Sequence, residues 1–379
     1  MPTPVRPPTS RWDRLVAVAF VAALAIPGLA LIAGIRPPEL ENRAAGALPT
    51  LDAQSLTEPA TYQAIDDYVT RNLPARDVAV DAYATLDYGI LGGSTDPDVV
   101  LGHDDWLFFA GELMPVCAVT PEALIRALDA VAAQAKATNV QFRFGIAPDK
   151  HAIYPEQVRT DPPIPEACTD AARDEVRAAM AARPGIAVDM WTAVLAERAR
   201  SETPLYFTQD SHWTPDGAMP AIAALVESLA PGVWDPTEIV ADGTSRYPME
   251  LARLMGKPRD AIVPRYVVRP SVTVEEGVVP TAVDLGNARD IFDYTTSGTA
   301  DVVPGTTLIV YDSFFNINRQ RIAPWFERSV WVHAGDLRDH PEIADILPPL
   351  DSVVLERVER GAYDTDMEQL LRPILEAGG

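Results

Sequence analysis

The sequence predicts an α/β fold, a mainly parallel sheet covered by helices on both faces and preceded by one apolar helix. Three observations carry this. Short β-branched runs alternate with helical periods from about residue 99 onward. Apolar residues make up 47% of the 379, ample for a large core. Residues 15–35 form a run of 21 without a charge, long enough to cross a bilayer as a helix.

Taken in order, residues 61–91 are helical in pattern and broken near Pro74. Residues 99–101 and 106–109 flank Gly102-His103-Asp104-Asp105 and read as a hairpin, with His103 in its turn. A helix is expected over 121–138 and a strand over 141–146, ending at Pro148. Residues 171–182 are helical, 186–188 extended and 215–229 helical. Strands follow at 306–311, 330–332 and 352–355. Residues 231–305 are less regular and are expected to hold an insertion.

Charge and flanks set the compartment. Arg6, Arg11 and Arg14 precede the apolar run against Asp13 alone, whereas Arg36 and Arg43 after it are matched by Glu39 and Glu41. The positive-inside rule then gives a single-pass plasma-membrane protein with residues 1–14 cytoplasmic. Residues 15–35 are the anchor, 36–60 a Pro- and Glu-containing tether and 61–379 an extracytoplasmic domain. A cleaved signal peptide is the competitor, disfavoured by length and by the lack of a small-x-small site. The net charge of −23 argues against nucleic acid, which needs clustered Lys and Arg. The two cysteines, Cys117 and Cys168, are expected to pair if the domain lies in an oxidising compartment. Cys and His are too few and too scattered for a zinc site, so neither metal nor cofactor is expected.

Chemistry concentrates in residues 206–218. Thr214 suits an N-cap and Pro215 a first helical position, so Asp210 and His212 lie just ahead of a helix on extended chain. Side chains two apart there share a face, and a carboxylate beside an imidazole makes an oriented general base. Such a pair could also merely shape the loop. A nucleophile is expected at the carboxyl end of a strand, where ligands bind in open parallel sheets. Asp312-Ser313-Phe314 follows the strand at 306–311, although Asp312 or Ser313 could equally cap the next helix. No G-x-S-x-G elbow surrounds Ser313. Trp213 could stack on a sugar, Arg319 and Arg321 could meet a carboxylate, and Lys150 and Tyr154 could line the cleft.

Asp210-Ser211-His212-Trp213 followed by Thr214-Pro215-Asp216-Gly217-Ala218 resembles the D-x-H-W signature of the alginate O-acetyltransferase family, AlgJ and AlgX type. Further stretches match in the same order. They are Glu41-Asn42-Arg43, Gly102-His103-Asp104-Asp105-Trp106-Leu107-Phe108, Ala147-Pro148-Asp149-Lys150, Ile153-Tyr154-Pro155-Glu156, Asp312-Ser313-Phe314 and Val358-Glu359-Arg360. The resemblance implies an SGNH-hydrolase-like three-layer α/β/α fold and a triad of Ser313, His212 and Asp210. It also implies acetyl transfer to a polysaccharide, with the acetyl group delivered by a multi-spanning membrane O-acyltransferase. With 19 residues after Arg360, the chain is expected to be the shorter, anchored type without a carbohydrate-binding module. So acidic a body disfavours alginate itself, a polyanion, as the acceptor. The rival functions are an acetyl esterase with the same triad and a non-catalytic glycan-binding or assembly protein.

The flanking charges generate a test. A reporter fused after residue 379 should be active only outside the cytoplasm, with the protein in the membrane pellet. Release of a shortened soluble form would mean that the apolar segment is cleaved.

Overall fold

The computed structural model describes residues 11–35, 48–52, 55–74, 76–86, 88, 92–115, 117–159, 168–280, 288–364 and 366–377. The Glu41-Asn42-Arg43 stretch and most of the expected tether lie outside these residues. The chain divides into two compact units, residues 1–96 with 252–259 and residues 97–251 with 260–379.

The first unit holds the helix Arg11–Ile32, long and apolar enough to cross a membrane, with Pro27 inside it. It also holds the helices Pro59–Asn72 and Arg76–Leu86, interrupted near Pro74 as the sequence predicts. Residues 252–259 group with this unit. Gly256 (φ +69°) lies so close to Val80 that a Cβ would meet Val80 Cγ1 at 2.3 Å, and Thr95 Oγ1 donates to the Met255 carbonyl at 3.0 Å. The helical start of the expected 61–379 domain thus groups apart from the sheet.

Among the described residues the second unit carries eleven strands: β1 (Val99–Leu101), β2 (Leu107–Phe109), β3 (Gln141–Ala147), β4 (Ala187–Val188), β5 (Ile239–Pro248), β6 (Asp260–Val268), β7 (Thr273–Val278), β8 (Phe292–Ser297), β9 (Val303–Tyr311), β10 (Phe326–His333) and β11 (Ser352–Val358). Seven form one sheet in the order β4-β3-β11-β9-β10-β8-β7. The pairs from β4 to β10 are parallel, and β8 and β7 add antiparallel strands at one edge. The architecture is α/β with a mostly parallel sheet, as the sequence predicts. Leu308, Ile309 and Val310 of β9 and Val353, Val354 and Leu355 of β11 are fully buried, as β-branched central strands covered on both faces should be.

Alternation along β3 separates the two helical layers. Arg143 donates to the Ser228 carbonyl of helix Pro215–Leu229, and a Cβ on Gly145 would meet Met190 of helix Met190–Arg198. Phe142, Phe144 and Ile146 point the other way, toward the layer of helix Pro121–Ala137. That helix starts on an N-cap, Thr120, which accepts from the Ala123 N–H. The β1–β2 hairpin turns through Asp104 (φ 51°) and Asp105 (φ 64°), a left-handed pair that Asp tolerates better than most residues.

Residues 231–305, expected to be irregular, form two antiparallel pairs, β5–β6 and β7–β8. The outermost strand, β7, is mostly exposed and carries Glu275 and Glu276, charges that discourage further pairing at a free edge.

Cys117 and Cys168 are joined by a disulfide, with Cα atoms 6.3 Å apart across 51 residues of sequence. Closing a loop of that length stabilises the fold by about 4 kcal/mol in the chain-entropy picture. Denaturant unfolding with and without reductant should differ by roughly that amount. Mass spectrometry of non-reduced, alkylated protein should find neither thiol modified, and two alkylated thiols would disprove the bond.

Candidate active site

The carboxyl edge of the parallel strands gathers the chemistry. β3 ends into Asp149 and Lys150, β9 into Asp312 and Ser313, β10 at His333 and β11 into Glu359 and Arg360. Asp210 and His212 reach this edge from a short antiparallel turn. Tyr206 bridges Trp213, and the Thr214 N–H donates to the Leu205 carbonyl at 2.8 Å. Thr214 then caps helix Pro215–Leu229 by accepting from the Gly217 N–H at 3.1 Å. Only glycine fits at 217, because a Cβ there would lie 1.9 Å from the Leu205 carbonyl oxygen.

His212 and Asp210 form the pair that the spacing predicts. Asp210 Oδ1 lies 2.7 Å from His212 Nδ1 and also accepts the His212 backbone N–H at 2.9 Å. The other carboxylate oxygen accepts the Glu250 N–H at 2.6 Å. Burial alone would raise the Asp210 carboxyl, but these bonds and the imidazole charge hold it below its ordinary range. His212 Nε2 is buried and has no hydrogen-bond partner among the described residues. The Glu250 carboxylate stands 3.7 Å from Nδ1 and accepts from the Ser211 hydroxyl at 3.1 Å. Asp210, His212 and Glu250 bring ligand-type atoms within 4.8 Å of one another, yet the first two are already bonded together, the arrangement of an oriented base.

Ser313 opens the helical turn Ser313–Asn316 and is half-buried. It lines a cavity of about 420 Å³ with Phe109, Met114, Asp312, Arg357 and Arg360. The base segment and the serine turn are cross-linked by Trp213 Nε1, which donates to the Phe314 carbonyl at 3.1 Å, and by the His212 ring, 5.1 Å from that of Phe314. Among the described residues no hydrogen bond joins Ser313 to His212, and such bonds often close only when substrate is bound.

Several expected substrate contacts are corrected. Trp213 is fully buried, so it cannot stack on a sugar and acts as the tie just described. Tyr154 is 8% exposed, and its hydroxyl accepts from the Leu205 N–H. Arg319 lies 3.8 Å over the Phe292 ring, and Arg321 donates to Ile317 and Asn318; neither lines the Ser313 cavity. Asn318, one conceivable oxyanion donor, spends its amide on the Phe314 carbonyl.

Lys150 is corrected most sharply. It has no exposed surface, and its ammonium donates to the carbonyls of Leu107, Phe207 (3.2 Å), Thr208 (3.4 Å) and Asp210 (2.6 Å). Burial lowers its pKa to about 8, against the opposing pull of Glu112 and Asp210. It is a clamp on the base segment.

Beneath it runs a charge network that the motifs Ala-Pro-Asp-Lys and Val-Glu-Arg mark in the sequence without revealing its role. Asp149 accepts from Arg360, Glu359 accepts from Arg173 at 2.7 Å and from the Asp149 N–H, and Asp170 pairs with both Arg173 and His151. Glu112 accepts the Phe109 and His151 N–H groups. Burial would lower the His151 pKa, but hydrogen bonds to Asp170 and Glu112 outweigh it and raise it to about 10.

Replacing Lys150 by Met keeps the volume but strands at least three buried carbonyls. Lys150→Met should therefore lower the unfolding free energy by at least about 3 kcal/mol. Equilibrium denaturation checks this, and a variant as stable as wild type would rule out the clamp.

Residues 99–273 match the family model described as "ALGX: SGNH hydrolase-like domain, acetyltransferase AlgX". Two curated relatives are named "Probable alginate O-acetylase AlgJ". That of Pseudomonas fluorescens is 27% identical over 172 residues, 44% of this chain and 42% of its own length. That of Azotobacter vinelandii is 25% identical over 194 residues, 50% and 48% of the two chains. The chain spans about half the length of the curated relatives it matches. Among solved structures, the O-acetyltransferase domain of Pseudomonas putida AlgJ is 19% identical, with 71% of this chain and 93% of that one covered and a TM-score of 0.45. Bacillus cereus PatB1 is 15% identical, with 71% and 99% covered and a TM-score of 0.47. Over residues 99–273 this chain is similar to the SGNH hydrolase-like domain of the AlgX type.

Proposed function

We propose that the protein is an O-acetyltransferase that acetylates hydroxyls of an exported or cell-surface polysaccharide through Ser313, His212 and Asp210. The observation that carries this reading is the buried, unpartnered Nε2 of an Asp210-oriented His212, packed on the residue next to Ser313. The family match includes Asp210 and His212, while Ser313 lies beyond it and rests on its place at the end of β9.

In this mechanism His212 Nε2 takes the Ser313 hydroxyl proton as Oγ bonds to the acetyl carbonyl carbon. The tetrahedral oxyanion collapses, the donor's leaving oxygen departs with the proton from His212, and acetyl-Ser313 remains. A sugar hydroxyl then loses its proton to His212 and attacks the acyl carbon, and Oγ regains a proton as the ester moves to the glycan. Asp210 keeps the ring in the tautomer with Nε2 free and offsets the imidazolium charge.

The relatives are named for alginate, but a body of charge −23 repels a polyanion at long range, so the acceptor is taken more broadly as a polysaccharide hydroxyl. Residues 15–35 would hold the domain of 61–379 at the outer face of the membrane, where a multi-spanning acyltransferase can hand over the acetyl group. Transfer and hydrolysis share every step but the last acceptor.

The test combines a chromogenic acetyl ester with oligosaccharide acceptors. Ser313→Ala should abolish release and transfer while leaving thermal unfolding nearly unchanged. Asp210→Asn should slow both about a thousandfold or more while keeping the fold. Full activity in either variant removes that residue from the mechanism. Release unaffected by any acceptor would favour an esterase.

A further inference from the structure

The side chains directly beneath the proposed nucleophile are not used in the chemistry above, yet they are among the most constrained in the protein. Asp312 Oδ1 accepts the Phe314 N–H at 3.0 Å, and Oδ2 accepts the Val358 N–H at 2.7 Å. Its own N–H donates to Glu356 Oε2 at 3.2 Å. The residues on both sides of Ser313 are thereby fixed to the neighbouring strand, β11. Glu356 has no exposed surface, and its second oxygen, Oε1, is buried without a hydrogen-bond partner among the described residues. Carboxyl groups packed this way beneath a turn need a reason.

We propose that Asp312 and Glu356 are a positioning pair for Ser313, with Glu356 holding Asp312 and Asp312 holding the turn that presents the hydroxyl. This rests on the reading of Ser313 as nucleophile. The pair sits where the strand register puts it. Leu355 of β11 lies opposite Val310 of β9, so Glu356, one residue on, and Asp312, two residues on, come together at the carboxyl edge. On the other side of β11, Glu356 faces Gly145, which offers neither charge nor bulk. The charged groups acting on Glu356 are Asp312 from the end of β9 and Arg357 beside it on β11.

Burial, then the charge of Asp312, pushes the Glu356 carboxyl well above the usual range, with Arg357 opposing. A protonated Glu356 can share its proton with the Asp312 carboxylate. An ionised one would set a second buried negative charge against it. The sign follows from linkage. Above the ordinary carboxyl range the unfolded chain has released this proton while the folded chain retains it, so Glu356 lowers stability as pH rises. Once the folded protein loses the proton too, repulsion from Asp312 loosens the Ser313 turn.

Glutamine copies the shape of a neutral Glu356 and cannot ionise. The experiment measures the acylation burst with a chromogenic acetyl ester, and the unfolding temperature, from about pH 5 to pH 10. Wild type, Glu356→Gln, Glu356→Ala and Ser313→Ala are compared. Glu356→Ala should acylate about 100-fold more slowly at neutral pH, the scale expected of a misplaced reacting atom. Glu356→Gln should restore most of that loss, flatten the alkaline decline of the burst rate, and unfold at progressively higher temperature than wild type as pH rises. An unchanged alkaline decline and an unchanged pH trend of unfolding in Glu356→Gln would overturn the pair, and so would an alanine variant as fast as wild type. If the alanine variant does not fold, the glutamine comparison decides alone. Should Ser313→Ala acylate normally, the nucleophile reading fails instead, and the unfolding curves still report on Glu356.

Discussion

The Lys150 ammonium, sealed from solvent, gathers the carbonyls of Leu107, Phe207, Thr208 and Asp210, and the geometry of the proposed base depends on it. These carbonyls belong to β2 and to the turn that carries His212, while Lys150 itself leaves the end of β3. Three pieces of chain that no strand ladder joins among the described residues meet at one charge, and the Leu107 N–H adds a direct bond to the Thr208 carbonyl. An ammonium suits this task because it has three donors and no acceptor, so the four converging carbonyls can share its N–H groups, one of them forked between two acceptors. The cost is desolvation, visible in its lowered pKa. Glu112 and Asp210, both buried nearby, offset part of that cost.

The same logic extends outward as a layered edge. Ser313 and Arg360 line the cavity; Arg360 pairs with Asp149, and Glu359, Arg173, Asp170 and His151 continue the network away from it. Each carboxylate has a cationic or N–H partner, as buried charges require. The parallel sheet makes this possible. Its strands all deliver their following residues to one side, so acids and bases far apart in sequence meet there.

Much of this was legible in the sequence because it is written locally. Alternating β-branched runs located β3, β9, β10 and β11, and Thr214-Pro215 located the helix beside the base, because strand burial and N-capping act over a few residues. The Asp210–His212 contact was legible for the same reason, both residues being on one extended segment. Burial decided by tertiary packing was not. Trp213, Tyr154 and Lys150 look like cleft residues by position, and only the fold turns them inward. Helix Met367–Ala377 went unread although Met367, Leu370, Leu371, Ile374 and Leu375 carry its buried stripe at helical spacing. Pro373 inside that stretch weakens the pattern. In residues 231–305, long mostly exposed hairpins lack the strong alternation of half-buried strands, so their sequence resembles loop.

The disulfide encloses more than its loop length suggests. Between Cys117 and Cys168 lie helix Pro121–Ala137, β3 and the run from Asp149 to Tyr154, which includes the buried Asp149, Lys150 and His151. Partners of these three, such as Asp210, Arg360 and Glu359, come later in the chain and outside the ring. During vectorial synthesis the ring can close as soon as Cys168 emerges, before any of those partners exists. Oxidation would then close the ring while Glu112, upstream of it, offsets Lys150 and His151 and the later partners are still to come. Asp149 would have to wait for Glu359 and Arg360, so the residues that follow β11 complete the network last.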